Sequence, residues 1–186
     1  MPELLDIRDE HGNLTGETMM RSDVHRQELW HGIAIIWVYN SQGQIMLQRR
    51  AAHLNAFPEK WDVSVSGHLT ASDNPRQAAV RELGEELGIY VKESDLEDAG
   101  MLADSFALTY GKQHRECDYV FFAHQDVTDI ESLRLQAAEV MEVRWFTIDE
   151  LERDLADPVQ VQHYSNRNPR LYNLIIDHVR QLSAKQ

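Results

Sequence analysis

The chain has 186 residues, 42% of them hydrophobic, which suffices for one packed core and is short for two. Its 18 Lys and Arg against 31 Asp and Glu give a net charge of -13, which argues against a binder of nucleic-acid duplexes but leaves small phosphorylated ligands, provided a metal offsets the repulsion. The longest apolar stretch, Ile33 to Tyr39, is far below the ~20 residues of a membrane span, the acidic amino terminus lacks the design of a secretory signal, and the single Cys117 forms no internal disulfide, so a cytoplasmic location away from membranes is expected.

Leu4 to Arg8 and the turn-rich Asp9 to Asn13 predict a short strand and its turn. Ile33 to Tyr39 is β-branched and aromatic, and Asn40-Ser41-Gln42-Gly43 separates it from Ile45 to Arg50, so these two runs predict a hairpin. Trp61 to Leu69 alternates Val63 and Val65 with Ser64 and Ser66 and predicts one strand ending at Gly67-His68. A helix is expected from Pro75, whose fixed φ suits the first turn, to Gly88, a common residue just past a helix end.

Strands are expected again over Met101 to Tyr110, Asp118 to Ala123 and Glu142 to Phe146, with a short helix over Ile148 to Leu155. A last helix from Pro169 carries Leu171, Leu174, Ile175, Ile176 and Val179 at helical spacing, a stripe suited to docking on the body. Mixed strands with a few helices predict an α+β fold or three-layer sandwich, read as a single domain over 1–186 with an N-terminal strand extension over about 1–30 and the C-terminal helix over about 168–183. A homodimer is compatible with this reading.

The helix from Pro75 carries the chemistry. At ~100° per residue, Glu85 falls ~60° to one side of Glu82 and Glu86 ~40° to the other, so three carboxylates share one face. Ala79, Val80, Leu83 and Leu87 form the adjoining face, which packs on the sheet, and Ala78 leaves room inside the acidic arc. Like charges one turn apart repel, Arg81 neutralises part of the set, and a hard divalent ion suits the rest, since Mg²⁺ prefers a few carboxylate oxygens together with water and substrate phosphates. The alternative is a solvated acidic helix face.

The full spacing resembles the signature of the Nudix hydrolases: Gly, five residues, an acid, seven residues, then Arg-Glu-aliphatic-x-Glu-Glu-x-Gly-aliphatic, met by Gly67, Arg81, Glu82, Leu83, Glu85, Glu86, Gly88 and Ile89. Asp73 departs from the usual Glu by one methylene. The resemblance implies an α/β/α sandwich with a mixed sheet, divalent metal on Glu82, Glu85 and Glu86, orientation of these acids by Arg81, and loop bracing by the residue at Asp73. Gly67 is expected to let the backbone approach the metal, because no Cβ intrudes. Mg²⁺ is the expected ion, with Mn²⁺ as a substitute.

From Leu5 to Phe146 the surroundings are similar to one branch of that superfamily, isopentenyl-diphosphate isomerase and its hydrolase relatives. His31-Gly32, Leu47-Gln48-Arg49-Arg50, Pro58-Glu59-Lys60-Trp61 and Ser64-Val65-Ser66-Gly67-His68 carry this likeness. The isomerases bind a metal through two early histidines, the histidine after the signature Gly and two acids, which implies a second site of His25, His31, His68, Glu116 and Asp118 for Zn²⁺ or Mn²⁺. They also place a cysteine before the signature Gly, where this chain has Ser66.

Arg49 and Arg50, together with Lys60, are expected to bind substrate phosphate, and Glu85 or Glu139 to act as general base. Selectivity is expected from His25 to Trp30, Ala51 to Lys60 and the loops near Tyr110 and Tyr164. The expected activity is Mg²⁺-dependent hydrolysis of a diphosphate linkage in a small nucleotide-like substrate; the rivals are an isomerase and a non-catalytic ligand sensor.

Overall fold

A computed structural model describes residues 3–107 and 111–184. In chain order the elements are β1 (Leu4–Arg8), β2 (Leu14–Met20), α1 (Arg21–Gln27), β3 (His31–Tyr39), β4 (Gln44–Arg50), β5 (Trp61–Asp62), β6 (Val65–His68), α2 (Pro75–Leu87), β7 (Leu96–Ala107), β8 (Gln113–His124), β9 (Val140–Thr147), α3 (Ile148–Ala156) and α4 (Pro169–Ser183). The fold is the α+β class with a mixed sheet: β3 pairs antiparallel with β4 and β6 and parallel with β8. No helix among the described residues is long and apolar enough to cross a membrane.

β3 is buried on both faces, and its alternation divides the interior. Ile33, Ile35 and Trp37 join Phe146, Leu151, Leu171, Ile175 and Val179 under α3 and α4. Ala34, Ile36 and Val38 join Ala79, Leu83, Leu87 and Phe121 under α2. Side chains alternate faces along a strand, so the uninterrupted apolar run of β3 is what a strand between two helical layers requires.

Several boundaries differ from the sequence reading. Segment 14–27, seen only as part of an extension, forms β2 and α1; β7 starts at Leu96 rather than Met101, and Tyr110 lies outside the described residues. The expected hairpin exists but pairs only next to its turn, through Val38↔Met46 and Tyr39↔Ile45. Beyond these pairs the strands part: β3 takes β6 and β8 as partners, while β4 takes β5 and β9.

The single strand expected over Trp61 to Leu69 is therefore two. β5 lies on β4 through Gln48↔Asp62 and Arg49↔Trp61, and β6 lies on β3 through Ile33↔His68 to Ile36↔Val65. Between them, fully buried Ser64 sits at the parting of the sheet, where its Oγ accepts from the Val38 N–H at 2.7 Å and donates to the Met46 carbonyl. The hydroxyl replaces the ladder bonds that β3 and β4 lose as they diverge.

α2 follows with Pro75 in its first turn, the Asn74 side chain accepting from the Arg76 N–H, and Gly88 at φ 68° closing the last turn. Removing the Ser64 hydroxyl strands the Val38 N–H in the interior. Ser64→Ala is expected to cost about 1–3 kcal/mol, read as a lowered urea midpoint at unchanged slope; a loss indistinguishable from zero would refute the bridging role.

Candidate active site

The cleft opens where β3–β6 and β4 diverge, and it has a volume of about 340 Å³. α2 supplies Arg81, Glu82, Glu85 and Glu86; β6 supplies Ser66, Gly67 and His68; Arg50, Glu116, Glu139 and Arg167 are also among its lining residues.

The acidic side is built around Glu82. A Cβ on Gly67 would lie 1.9 Å from the Glu82 carboxyl carbon, so only glycine permits this carboxylate to lie against β6. The close approach that Gly67 allows is to the Glu82 side chain. Arg81 donates to Glu82 at 2.7 Å, to Glu85 at 3.3 Å and to the His68 carbonyl at 3.2 Å. Its other contact is Asp73, whose Oδ2 also accepts from the Thr70 N–H at 2.9 Å and hydroxyl at 2.8 Å. The shorter acid braces the loop without difficulty.

Glu86 is 3% exposed and accepts one hydrogen bond from Gln48 at 3.0 Å, whereas Glu85 is exposed. Burial, with the neighbouring Glu85 charge, pushes Glu82 up to about 7 against the pull of Arg81. Burial and the Glu82 charge also raise Glu86 well above the carboxylate range. Two desolvated carboxylates that prefer a proton to their present surroundings, with a single guanidinium in contact with one of them, fit a divalent cation well.

Glu139 reaches the cleft from the loop before β9. That loop is fastened at both ends, by Gln136 N–H to the Glu86 carbonyl at 2.9 Å and by Ala51 N–H to the Glu139 carbonyl at 2.8 Å. Arg50 also faces the cleft, held by the Ala56 carbonyl at 2.9 Å and Asp62 at 3.4 Å.

Arg49 and Lys60 do not line the cleft. Strand alternation turns Arg49 the other way, onto Glu142 at 3.0 Å and the Glu59 carbonyl, and the Lys60 ammonium rests on the Gln162 carbonyl. Of the three expected phosphate-binding cations, Arg50 alone is in position.

The other side of the cleft is imidazole. His25 Nε2 lies 3.3 Å from His31 Nε2 and 3.2 Å from His68 Nε2, and one ligand atom from each ring falls within 4.8 Å of the others. His31 Nδ1 meets the Leu29 carbonyl at 3.0 Å, which assigns the proton to Nδ1 and leaves the Nε2 lone pair facing its neighbours. Burial and the adjacent rings lower His25 to about 3, and burial likewise lowers His31 and His68. Neutral rings with converging lone pairs are the chemistry of a metal-binding set.

Glu116 lines this side of the cleft, and Asp118 is not among the residues that line it. Both point to the same face of β8. However, Glu116 pairs with His31 in the ladder while Asp118 pairs with Ile33, two residues further along the strand. Asp118 is fully buried with neither oxygen partnered among the described residues, and burial, reinforced by the Glu116 charge, raises its carboxyl well above the ordinary range.

The residue missed by the sequence reading is His114, whose ring centroid is 4.6 Å from that of His25 and whose Nδ1 is 3.3 Å from Glu116 Oε1. Its position two residues before Glu116 was the available signal. Arg167, also missed, donates to Asp62, Glu116 and Ser66 from the segment before α4. Burial works against ionised Glu116, but His114 and Arg167 outweigh it and hold the carboxyl at about 2.

Residues 29–166 match the family described as the NUDIX domain. An uncharacterized Nudix hydrolase of Clostridium acetobutylicum is 32% identical over 160 residues, which cover 84% of this chain and 76% of that protein. An isopentenyl-diphosphate Delta-isomerase of Aliivibrio fischeri is 26% identical over 97% of this chain and 99% of its own length. In fold, a crystal structure of a Deinococcus radiodurans protein superposes with a TM-score of 0.69 at 19% identity, covering 92% of this chain and 97% of that one.

The raised acids carry a stability signature. Glu82 takes up a proton on folding in the window between the ordinary carboxylate value and about 7, and Glu86 is shifted in the same direction, so the metal-free protein is expected to lose stability as pH rises through that window. Glu82→Gln should flatten the loss and raise the metal-free melting temperature at pH 8. A melting temperature that climbs from pH 5.5 to pH 8 without added metal would contradict the environment described for Glu82.

Proposed function

The chain belongs to the NUDIX-domain family, and on that premise we propose that it is a metal-dependent hydrolase that cleaves a diphosphate linkage in a small nucleotide-like substrate. The observation that carries this reading is the approach of Glu82 to Gly67, which together with Arg81 and buried Glu86 directs carboxylates into a cleft shared with Arg50. Glu82, Glu85 and Glu86 would hold Mg²⁺, or Mn²⁺ in its place. Bound there, divalent ions would neutralise the diphosphate and acidify water.

The chain's own residues do the rest. Arg81 bridges Glu82 and Glu85 and offsets part of their mutual repulsion while both line the cleft. Arg50 offers its guanidinium to a phosphate oxygen. Glu85 or Glu139 accepts the proton of the attacking water as its oxygen forms a bond to phosphorus and the bridging phosphorus–oxygen bond breaks.

His25, His31 and His68 form a second site for Zn²⁺ or Mn²⁺ in this proposal, with His114 and Glu116 beside it. The loops around Ala51 to Lys60 and Tyr164 shape selectivity. A screen of nucleoside diphosphates, dinucleotide polyphosphates, nucleotide sugars and prenyl diphosphates, each with Mg²⁺ or Mn²⁺, tests the activity and identifies the substrate class.

Hydrolysis is favoured over double-bond isomerisation by the residue before Gly67. Moving a double bond needs an acidic proton beside the alkene, and Ser66 offers only a hydroxyl, which accepts from Arg167 at 3.3 Å. Cys117 is no substitute: it is buried away from the cleft lining, and burial pushes its thiol up to about 11.

Glu86→Gln and Glu82→Gln should each fold normally by circular dichroism and lower kcat by on the order of 10² or more, because an amide oxygen replaces a charged ligand. Full turnover by folded Glu86→Gln at saturating substrate and low Mg²⁺ would rule the ligand assignment out. Incubated with isopentenyl diphosphate and Mg²⁺, the protein should form no dimethylallyl diphosphate at a useful rate. Robust isomer formation, lost on mutating Ser66 or Glu116, would move the chain to the isomerase branch.

A further inference from the structure

Arg167 stands one residue beyond the stretch that matches the family. It is 8% exposed, yet its guanidinium borders the cleft. Its donors serve three strands: Nε reaches Asp62 Oδ1 on β5 at 2.8 Å, Nη1 reaches Glu116 Oε2 on β8 at 3.2 Å, and Nη2 reaches Ser66 Oγ on β6 at 3.3 Å. The next residue is tied down as well, since the Asn168 N–H donates to Asp104 on β7 at 3.0 Å and the Asn168 side chain caps α4.

Glu116 is held from two sides. Oε1 faces His114 Nδ1 at 3.3 Å, and Oε2 faces Arg167. The carboxylate therefore points along the line from the guanidinium to the imidazole. We propose that Arg167 is a positioning residue that fixes the orientation of Glu116 toward the histidines and so makes the docking of α4 part of the second site's geometry.

Arginine is the residue type this needs. A planar fork donates in three fixed directions to Asp62, Glu116 and Ser66, whereas an ammonium on a flexible stem offers one point of charge. Asp62 anchors the fork from beneath, because it is fully buried and also accepts from Ser165 Oγ at 2.7 Å. The rival is a purely architectural pair in which Arg167 neutralises Asp62 and fastens α4, with Glu116 an incidental neighbour. The two differ in what moves when the fork is lost: stability alone, or the histidine site.

The functional consequence rests on the reading of the histidine cluster as a metal site, so the test has one arm that needs metal and one that does not. Full-length Asp62→Asn is compared with Asp62→Asn/Arg167→Gln, so that Arg167 is removed without leaving an ionised Asp62 buried opposite it, and Arg167→Lys is carried in parallel. In the first arm Co²⁺ is titrated with Mg²⁺ in excess, and visible absorption that disappears in His68→Ala reports the histidine site. Loss of Arg167 should weaken Co²⁺ there by roughly ten- to a hundredfold, Arg167→Lys should restore little of it, and in a Glu116→Gln background the same loss should have no further effect.

In the second arm the metal-free variants are crystallised. Without Arg167 the Glu116 carboxylate should leave His114. A Glu116 that stays on His114, or a Co²⁺ affinity within twofold of Asp62→Asn, overturns the proposal. If the parent protein shows no absorption that depends on His68, the metal reading of the cluster has failed, and the position of Glu116 in the crystals decides the role of Arg167 by itself. Should the double variant not fold, Arg167→Lys, which keeps the charge and loses the fork, gives both readouts.

Discussion

The divergence of β3 from β4 is the constraint on which everything functional in this chain depends. Two strands joined by a four-residue turn would ordinarily pair along their length, and these stop after the first pairs. The segment Trp61 to His68 enters the gap by changing partner midway, and Ser64 holds the point of departure. Because the sheet is open there, groups on its two faces meet in one cleft: the α2 carboxylates from one side and the imidazoles from the other. A continuous sheet would keep them apart by its own thickness.

The electrostatics of the cleft follow from its depth. The chain carries a net charge of -13, yet the decisive carboxylates are few and mostly removed from water. Burial, with too little cationic company, raises the pKa of Glu82 and Glu86, whereas those of Glu116 and Asp62, which face Arg167, are lowered. The imidazoles are neutral because they are buried beside one another. Arg81 and Arg167 have parallel positions in this scheme, each a guanidinium that spans several elements and touches the acids of one side.

Much of this was legible in the sequence, and the failures have physical causes. Helical spacing alone put Glu82, Glu85 and Glu86 on one face, and the apolar stripe from Leu171 to Val179 is buried as expected of a docking helix. Pattern cannot say where a hairpin stops pairing, so the split of β5 from β6 was invisible. Residue type cannot separate Glu116 from Asp118: both point to one face, and only the ladder tells that one lies beside His31 and the other beside Ile33. Arg49 and Arg50 differ in the same way, by strand parity. Arg167 comes to the site from a distant part of the chain through packing, which no local motif encodes, whereas His114 lies on the strand of Glu116, two residues before it.

Strand alternation on β6 has a consequence for descent. Ser66 points to the side of Arg167, and Gly67 to the side of Glu82. Adjacent positions thus belong to separate chemical neighbourhoods. An exchange of serine and cysteine at the first leaves the steric requirement at the second untouched, so a lineage can trade the nucleophilic or acidic character of one wall in a single step while retaining the carboxylate wall. The Ser66 wall and the carboxylate wall can thus be altered separately, by substitution within one and the same architecture.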